Sequence, residues 1–547
     1  MKYLKKYSTE AERQAATAIE PSASIVVEDE GVYYDRAWDT PTEVINHYEN
    51  ITIDGGLEPK NVNFWDYDGT LMYAYTDTEF LAMDNMPNNP GHEGLTAQGW
   101  NWSLTKAKAY VTKYRYLEIG QQYTTDDGHT RIYITIPENF PYMEFSFRLC
   151  YFSAKTNATI IDWGDGSSSE NMIITNVNAG SLAHTYTTSG SYMIDVTPPS
   201  DITFGLGTGG IVYGSIFGDD YYDTNPDRVV KQLSCVTKVE IGNNVNRVEA
   251  VGLDNLKTIT TNKNVVRWRP LPNTNSVVQY KPKLVAAIMP QCSQYWYHMS
   301  GNTQNTLNLS LKCICFSDTP TLTTDGNVQP ILKGGIVKHL TIPESLEYNS
   351  DRGISAQLLE VVIYPDTWTT IMVPSYLTWL KHIHLPASLT TLSAFSGVNS
   401  LPDIEIPSAI TSLPANAFNG CRSMEYINIP EGVTTLGNSA FGYCQSLKKA
   451  TLPTTLTTIG TTLFQYASAF YEVYIYATTP PTLSNVSSFP VSRNRSYSVK
   501  KPFIHVPPGT LTDYQTATTW SGIADYIEEM TQAEYTAYCT EHNIENE

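Results

Sequence analysis

The chain has 547 residues and a mass of 61.0 kDa, with 35 Lys+Arg against 55 Asp+Glu and a formal net charge of -20. At about 100–200 residues per domain this length implies three or four domains, and the excess of acid repels phosphate backbones and anionic lipid, which excludes nucleic acid as a partner. Charged residues are only 16%, their place taken by Thr, Ser, Asn and 37 Tyr alongside 34 Gly and 31 Pro, a balance that predicts a mainly β, multidomain protein rich in turns. No run of about 18 apolar residues occurs, so no membrane insertion is expected.

The first segment, residues 1–36, opens on Met1-Lys2-Tyr3-Leu4-Lys5-Lys6-Tyr7 with no apolar run behind the lysines. It therefore lacks the core of a secretory signal, and synthesis in the cytoplasm followed by delivery through assembly is the expectation. Residues 37–128 read as a mixed α/β module. Within it Asp66-Tyr67-Asp68-Gly69-Thr70 matches the D-x-D-G-T signature of haloacid-dehalogenase-type phosphatases. That resemblance implies Asp66 as nucleophile, Asp68 as acid/base and Asp126-Asp127 as a metal pair. A short helix over 76–83 follows, then a Pro/Gly/Asn-rich stretch, and not the strand–helix alternation that such a fold requires. A β-turn with two Asp at its corner is the reading adopted, and no catalytic residue is assigned. The segments Phe64–Thr76, His92–Trp102 and Ala107–Val111, with Lys2–Glu12 and Pro21–Glu28, resemble modules of virion structural proteins of gut phages and prophages. The resemblance implies an N-terminal attachment region joined to other virion proteins.

Residues 129–215 hold short alternating runs, Arg131–Ile136, Met143–Phe147 and Thr159–Asp162, which predict a small β-sandwich. Asp162-Trp163-Gly164-Asp165-Gly166, followed by His184-Thr185-Tyr186 and Gly190-Ser191-Tyr192, resembles the paired motifs of a PKD-type (Ig-like) domain. In that family Trp163 fills the core, Gly164 and Gly166 make the turn, and Tyr186 and Tyr192 pack across the sandwich. Asp162 and Asp165 are weak Ca²⁺ candidates, since clustered carboxylates suit a hard cation; the competing reading has both side chains capping turn amides. His184 has no second His or Cys nearby to share a metal.

The strongest signal is a repeat. Ile406-Pro407, Ile429-Pro430 and Leu452-Pro453 recur every 23 residues, as do Phe418, Phe441 and Phe464, and Cys421 matches Cys444. Each unit is a short alternating strand ended by Pro, a second extended piece, and a small-residue turn carrying an inward Phe. One unit cannot bury its apolar face alone, so stacking into a solenoid is required. The units resemble BspA-like leucine-rich repeats, with degenerate copies reaching back to Val239–Val245, and cover 230–515. Residues 516–547 form a cap ending in a short acidic helix. The eight Cys are sparse and unpaired in spacing, which predicts buried thiols.

Together these readings imply a non-enzymatic virion protein of a gut phage, a fibre or receptor-binding component located on the virion. It would be anchored by its N-terminus, trimeric by family expectation, and bind a host-surface glycan or protein through the repeats. The alternative is a bacterial cell-surface adhesin with PKD-type and leucine-rich modules. The many Tyr and Trp serve either as core and turn packing or as stacking surfaces for sugars. No cofactor and no metal are implied.

Overall fold

The computed structural model describes residues 4–7, 24–27, 32–34, 60–138, 144–151, 158–172, 180–197, 204–206, 235–249, 255–265, 267–269, 283–290, 294–295, 311–318, 332–333, 337–346, 354–355, 358–371, 377–490 and 503–544. The chain divides into two compact units, Met1–Pro59 and Lys60–Glu547. In the first, strands Leu4–Tyr7 and Ser24–Val27 pair in parallel, and Val32–Tyr34 pairs antiparallel to the latter. The expected boundary at 36/37 lies outside the described residues.

The second unit opens with a small mixed module. Its elements are β1 (Val62–Trp65), β2 (Leu71–Tyr75), α1 (Asp77–Leu81), β3 (Leu95–Trp100), α2 (Leu104–Tyr114) and β4 (Leu117–Thr125). The sheet order is β2-β1-β4-β3, with β1 and β4 parallel and the two edge pairings antiparallel. Thr76 caps α1: its side chain accepts from the Glu79 amide while the Glu79 carboxylate accepts from the Thr76 amide, so two orphan donors of the first turn are satisfied. Arg115, at φ 67, ends α2 in the left-handed conformation and turns the chain into β4. Every residue of β4 is buried, which an edge-to-solvent module of this size could not achieve by itself.

Strands β5 (Thr130–Ile136), β6 (Glu144–Tyr151), β7 (Thr159–Asp162), β8 (Glu170–Met172), β9 (Gly180–Thr185), β10 (Gly190–Thr197) and β11 (Phe204–Leu206) follow. They form the antiparallel halves of two six-stranded sheets, β8-β7-β10-β5 and β9-β6-β11. The solenoid grows from both. Strand β12 (Val236–Glu240) pairs antiparallel with β5 and then parallel with Thr258–Ile259, while β13 (Val245–Glu249) pairs parallel with both β11 and Arg267–Arg269. Each sheet thus changes from antiparallel to parallel at one strand, and the unpaired first edge that every solenoid presents is covered.

Beyond this junction the parallel pairs Ala286–Ile288 with Cys313–Cys315, His339–Thr341 with Val361–Ile363 and His382–His384, and Tyr426–Asn428 with Lys449–Leu452 and Glu472–Ile475 stack one repeat upon the next. A second row pairs Ser412–Leu413, Thr435–Leu436, Thr458–Ile459 and Thr482–Leu483. Between the rows Phe395, Phe418, Phe441 and Phe464 stack with centroids 5.6–5.8 Å apart and planes within 18°. All four are fully buried, as the repeat spacing requires. Cys444 Sγ donates to the Phe418 carbonyl at 3.2 Å, and Cys421 to that of Phe395 at 3.5 Å, so the repeated thiols lock each Phe turn. Burial raises the Cys444 thiol to about 12, and Cys235, Cys313, Cys315, Cys421, Cys444 and Cys539 are free and buried.

The C-terminal end is closed by Phe503–Val506 and Ile527–Glu529, which extend the sheet, and by α3 (Leu511–Thr516) and α4 (Gln532–Glu541). Trp520 Nε1 donates to the Pro481 carbonyl and the Tyr514 hydroxyl to that of Ala477, each at 2.7 Å, so the two large rings plug the core without an unpaired polar atom. Replacing Phe441 by Ala removes a ring stacked on both sides; a loss of about 3–5 kcal/mol is expected in urea unfolding followed by near-ultraviolet circular dichroism. A loss under about 1 kcal/mol would show that the ring stack does not hold the repeats together.

Candidate functional site: the outer row and turn edge of the solenoid

Strand side chains alternate, so each solenoid strand sends one residue inward and its neighbours outward. Leu340, Val362, Ile383, Ile404, Ile427, Ala450, Val473 and Ile504 enter the solenoid core. The outward row is set by their neighbours, and it is where the chain treats its repeats unequally.

From Ala286 to His384 the outward row is covered by the module. Ala286, Ile288, Cys313 and Cys315 pack with Trp65, and Val361 and Ile363 join the cluster built on Phe64, Trp100, Tyr110 and Ile119. Contact this close needs Gly120, since a Cβ there would stand 2.5 Å from Ile288 Cγ2 and 3.1 Å from Cys315 Cβ. Asn101 Nδ2 donates to the carbonyls of Met289, Cys315 and Phe316, and Trp102 Nε1 donates to Phe316 O at 2.6 Å. The buried Glu118 carboxylate accepts from Asn63 Nδ2 at 2.8 Å and from Trp65 Nε1, and lies 3.0 Å from His339 Nδ1. From α2, the Tyr110 hydroxyl donates to Ile342 O at 2.8 Å, and Lys113 bridges Glu344 and Asp366. Asp366 also sits 2.9 Å from His384 Nε2. Lys113 and then Tyr114 hold the Glu344 carboxyl below its ordinary range. Burial pushes Asp366 the other way, but the Ala387 amide, His384 and Lys113 outweigh it and leave that carboxyl lowered too.

At the far end α4 covers the same row. Tyr538 stacks on Tyr476 with centroids 3.5 Å apart, its hydroxyl donating to Glu431 at 2.7 Å, and Met530, Tyr474 and Tyr535 complete the contact. Between the two covers lie Asp403, Glu405, Tyr426 and Asn428, all exposed, with Tyr426 at 53%. Lys448 pairs with Glu425 at 2.7 Å, and Lys449 lies over the Tyr474 ring.

The turn edge differs in kind. Gly397, Gly420, Tyr443 and Tyr466 occupy one repeat position, and all four backbones are left-handed, at φ 78, 78, 57 and 63. An L-residue pays about 1–2 kcal/mol there, and glycine does not. The two tyrosines are nonetheless exposed, 46% and 43%, and lean on each other with centroids 4.6 Å apart.

The residues singled out by sequence fall elsewhere. Asp66 and Asp68 form the corner of the β1–β2 hairpin, where Asp66 accepts from the Tyr67 amide and Asp68 from that of Thr70. Asp66 is buried and 2.7 Å from Nε2 of His92, whose ring packs edge-on against Tyr67 and Tyr123. Asp126 accepts from Thr96 Oγ1 and Asp127 pairs with Arg131, so these carboxylates are not gathered with Asp66. Asp162 accepts from the Gly164 amide, and Asp165 accepts from that of Ser167 and lies 2.8 Å from His184 Nε2. Ser167 and then His184 lower the Asp165 carboxyl to about 2. Trp163 is fully buried and stacked on His184, and Tyr186 donates to the Trp163 carbonyl at 2.9 Å and stacks on Tyr192. Gly164 is held by space as well as by φ 78, because a Cβ there would meet the Met193 carbonyl at 2.3 Å. No group of three metal-ligating side chains occurs among the described residues.

Residues 375–485 match the BspA type leucine rich repeat region family in six copies. Among solved structures, a leucine-rich repeat protein from Bacteroides ovatus is similar at 14% identity, covering 61% of this chain and 97% of its own, with a TM-score of 0.29. The pneumococcal vaccine antigen PcpA is similar at 12% identity, covering 54% and 83%, with a TM-score of 0.26. A leucine rich cell surface protein from Faecalibacterium prausnitzii is similar at 13% identity, covering 63% and 94%, with a TM-score of 0.17. No curated protein matches. BspA-like leucine-rich repeats therefore build the C-terminal β-solenoid, and nothing in the comparisons supports the expected phage-virion or PKD-type assignments.

The lowered carboxyls give the module's docking a pH dependence. A depressed folded pKa contributes stability above the ordinary carboxylate range, about 4, and that stability is lost as pH falls through the folded value. Protection of residues 104–125 from hydrogen exchange is expected to fall as pH drops below about 4, ahead of the Asp165 turn, whose carboxyl titrates near 2. Lys113→Met should shrink the acid-induced change at 104–125; an unchanged profile would show that the ion pairs do not hold the interface.

Proposed function

We propose that this chain is a non-catalytic, adhesin-like repeat protein acting at a bacterial cell surface, where the solenoid engages a surface glycan or protein. The observation that carries the reading is the division of the solenoid surface. The molecule's own module and terminal helix seal the outer row up to His384 and again from Glu431, while the regular repeats between are left exposed. A stacked array with one open stretch is the form that extended binding surfaces take in repeat proteins. The acidic hairpin at Asp66 and Asp68 is committed to amides and to His92, which favours binding over phosphoryl transfer. A PKD-type identity for residues 129–215, with its Trp163 core and Asp-capped turns, fits the same modular plan, as a rigid base from which the repeats extend.

Antibodies raised against the whole chain, applied to intact cells of the producing bacterium, are expected to label the surface, and mild protease treatment should release solenoid peptides. Recovery of the chain only with gradient-purified phage particles would sink the adhesin reading and restore the virion one. For the binding stretch, beads coated with the full chain should adhere to target cells, and Tyr426→Glu with Asp403→Lys should reduce adherence severalfold if the open outer row participates.

A further inference from the structure

The turn edge carries a ligand class that the outer row does not. Stretches 387–401, 410–424, 433–447 and 456–470, which form the four turns ending in Phe stacks, contain one charged residue between them, Arg422. The outer row of the same repeats bears Lys381, Asp403, Glu405, Glu425, Lys448, Lys449 and Glu472. Charge has been withdrawn from the turn edge and replaced by Ser, Thr, Asn, Gln and tyrosine rings. A basic peptide has nothing to pair with there and a polyanion finds Arg422 alone, whereas a neutral polyhydroxylated ligand finds hydroxyls and amides all along the rim.

The rings themselves are placed against local preference. Tyr443 and Tyr466 occupy the left-handed position that Gly397 and Gly420 fill in the preceding two repeats. Neither ring is needed for the core, since both are exposed. Their mutual contact at 4.6 Å stiffens them and covers one face of Tyr443, while the preceding repeat carries Gly420 at that position and so offers no ring to the other face. The row it borders is bare: a Cβ on Gly397 would meet nothing within 4 Å, and one on Gly420 only the Gly397 backbone at 3.6 Å. An aromatic wall above a glycine floor, with neutral hydrogen-bonding groups around it, suits the apolar face of a sugar ring.

We propose that the turn edge at Tyr443 binds a neutral glycan, one hexose ring stacking on the outward face of Tyr443 above Gly420 and its neighbours running along the repeat axis. This deepens the adhesin reading on which it rests by naming ligand class and contact. The test is affinity electrophoresis of the full chain in native gels containing galactomannan, xyloglucan or dextran, with polygalacturonate as the charged control. Wild type should be retarded by at least one neutral polymer and not by polygalacturonate. Tyr443→Gly restores the residue that the backbone position prefers, so its thermal midpoint should stay near wild type while affinity falls about tenfold or more. Tyr443→Phe should keep binding, and Gly420→Asn, which tolerates the left-handed backbone but fills the floor, should lose it. No retardation by any neutral polymer, or equal retardation of wild type and Tyr443→Gly, overturns the proposal. If wild type and Tyr443→Gly adhere equally to cells, the adhesin reading stands and the glycan inference alone falls.

Discussion

The approach of β4 to the solenoid sheet is the contact on which the rest of the molecule depends. Glycine at 120 permits that approach, because a Cβ there would stand 2.5 Å from Ile288 Cγ2 and force the Ile288 side chain to shift. Through that contact a strand buried along its whole length ties the module to repeats that lie far along the chain. The polar atoms brought into the interface are answered in place, by Asn101 on three carbonyls and by Glu118 with Asn63 and Trp65. An unpaired carboxylate at Glu118 would cost more than the packing returns. The irregular early repeats are thus stabilised from outside, while the regular later ones rely on their own ring stack.

That difference explains which parts of the fold were legible in the sequence. The spacing of 23 residues carried Phe418, Phe441 and Phe464 straight to a stacked core, because a repeat writes the same packing constraint several times. Strands near 131–136, 143–147 and 159–162 were legible from alternation, and short helices were expected over 76–83 and near the C-terminus, where 77–81 and 532–541 are helical. The docking of the module left no such trace. Val361 and Ile363 read as one more buried strand, and nothing local says that their outward faces are met by a strand more than two hundred residues earlier. Nor did spacing reveal that the solenoid sheets grow directly from β5 and β11, since edge pairing is a tertiary choice.

The candidate site was less legible still. The D-x-D-G-T match drew attention to Asp66 and Asp68, whose side chains turn out to organise a hairpin and a His92 contact. Asp162 and Asp165 likewise spend their oxygens on turn amides and on His184. In each case short polar side chains beside glycine serve the backbone first. The informative residues, Tyr443 and Tyr466, hide within the repeat, and only their alignment with Gly397 and Gly420 shows that they stand where a side chain is unwelcome. The strain is real and local, and an exposed ring that does not fill the core is a functional hypothesis in its own right.

The central claim is that the solenoid's outer row is sealed by the chain's own module and terminal helix, leaving the outer row around 403–428 and the turn edge at Tyr443 and Tyr466 as the surface open to a partner. Rapid hydroxyl-radical footprinting of the intact chain, read by mass spectrometry, addresses it directly. Tyr426, Tyr443, Tyr466 and Tyr471, exposed by 41–53%, should oxidise readily, while Trp100, Trp102 and Tyr110, at 6–7%, stay protected. Oxidation of Trp102 and Tyr110 at the rate of Tyr426 would mean that the module does not rest on the repeats, and would contradict the account.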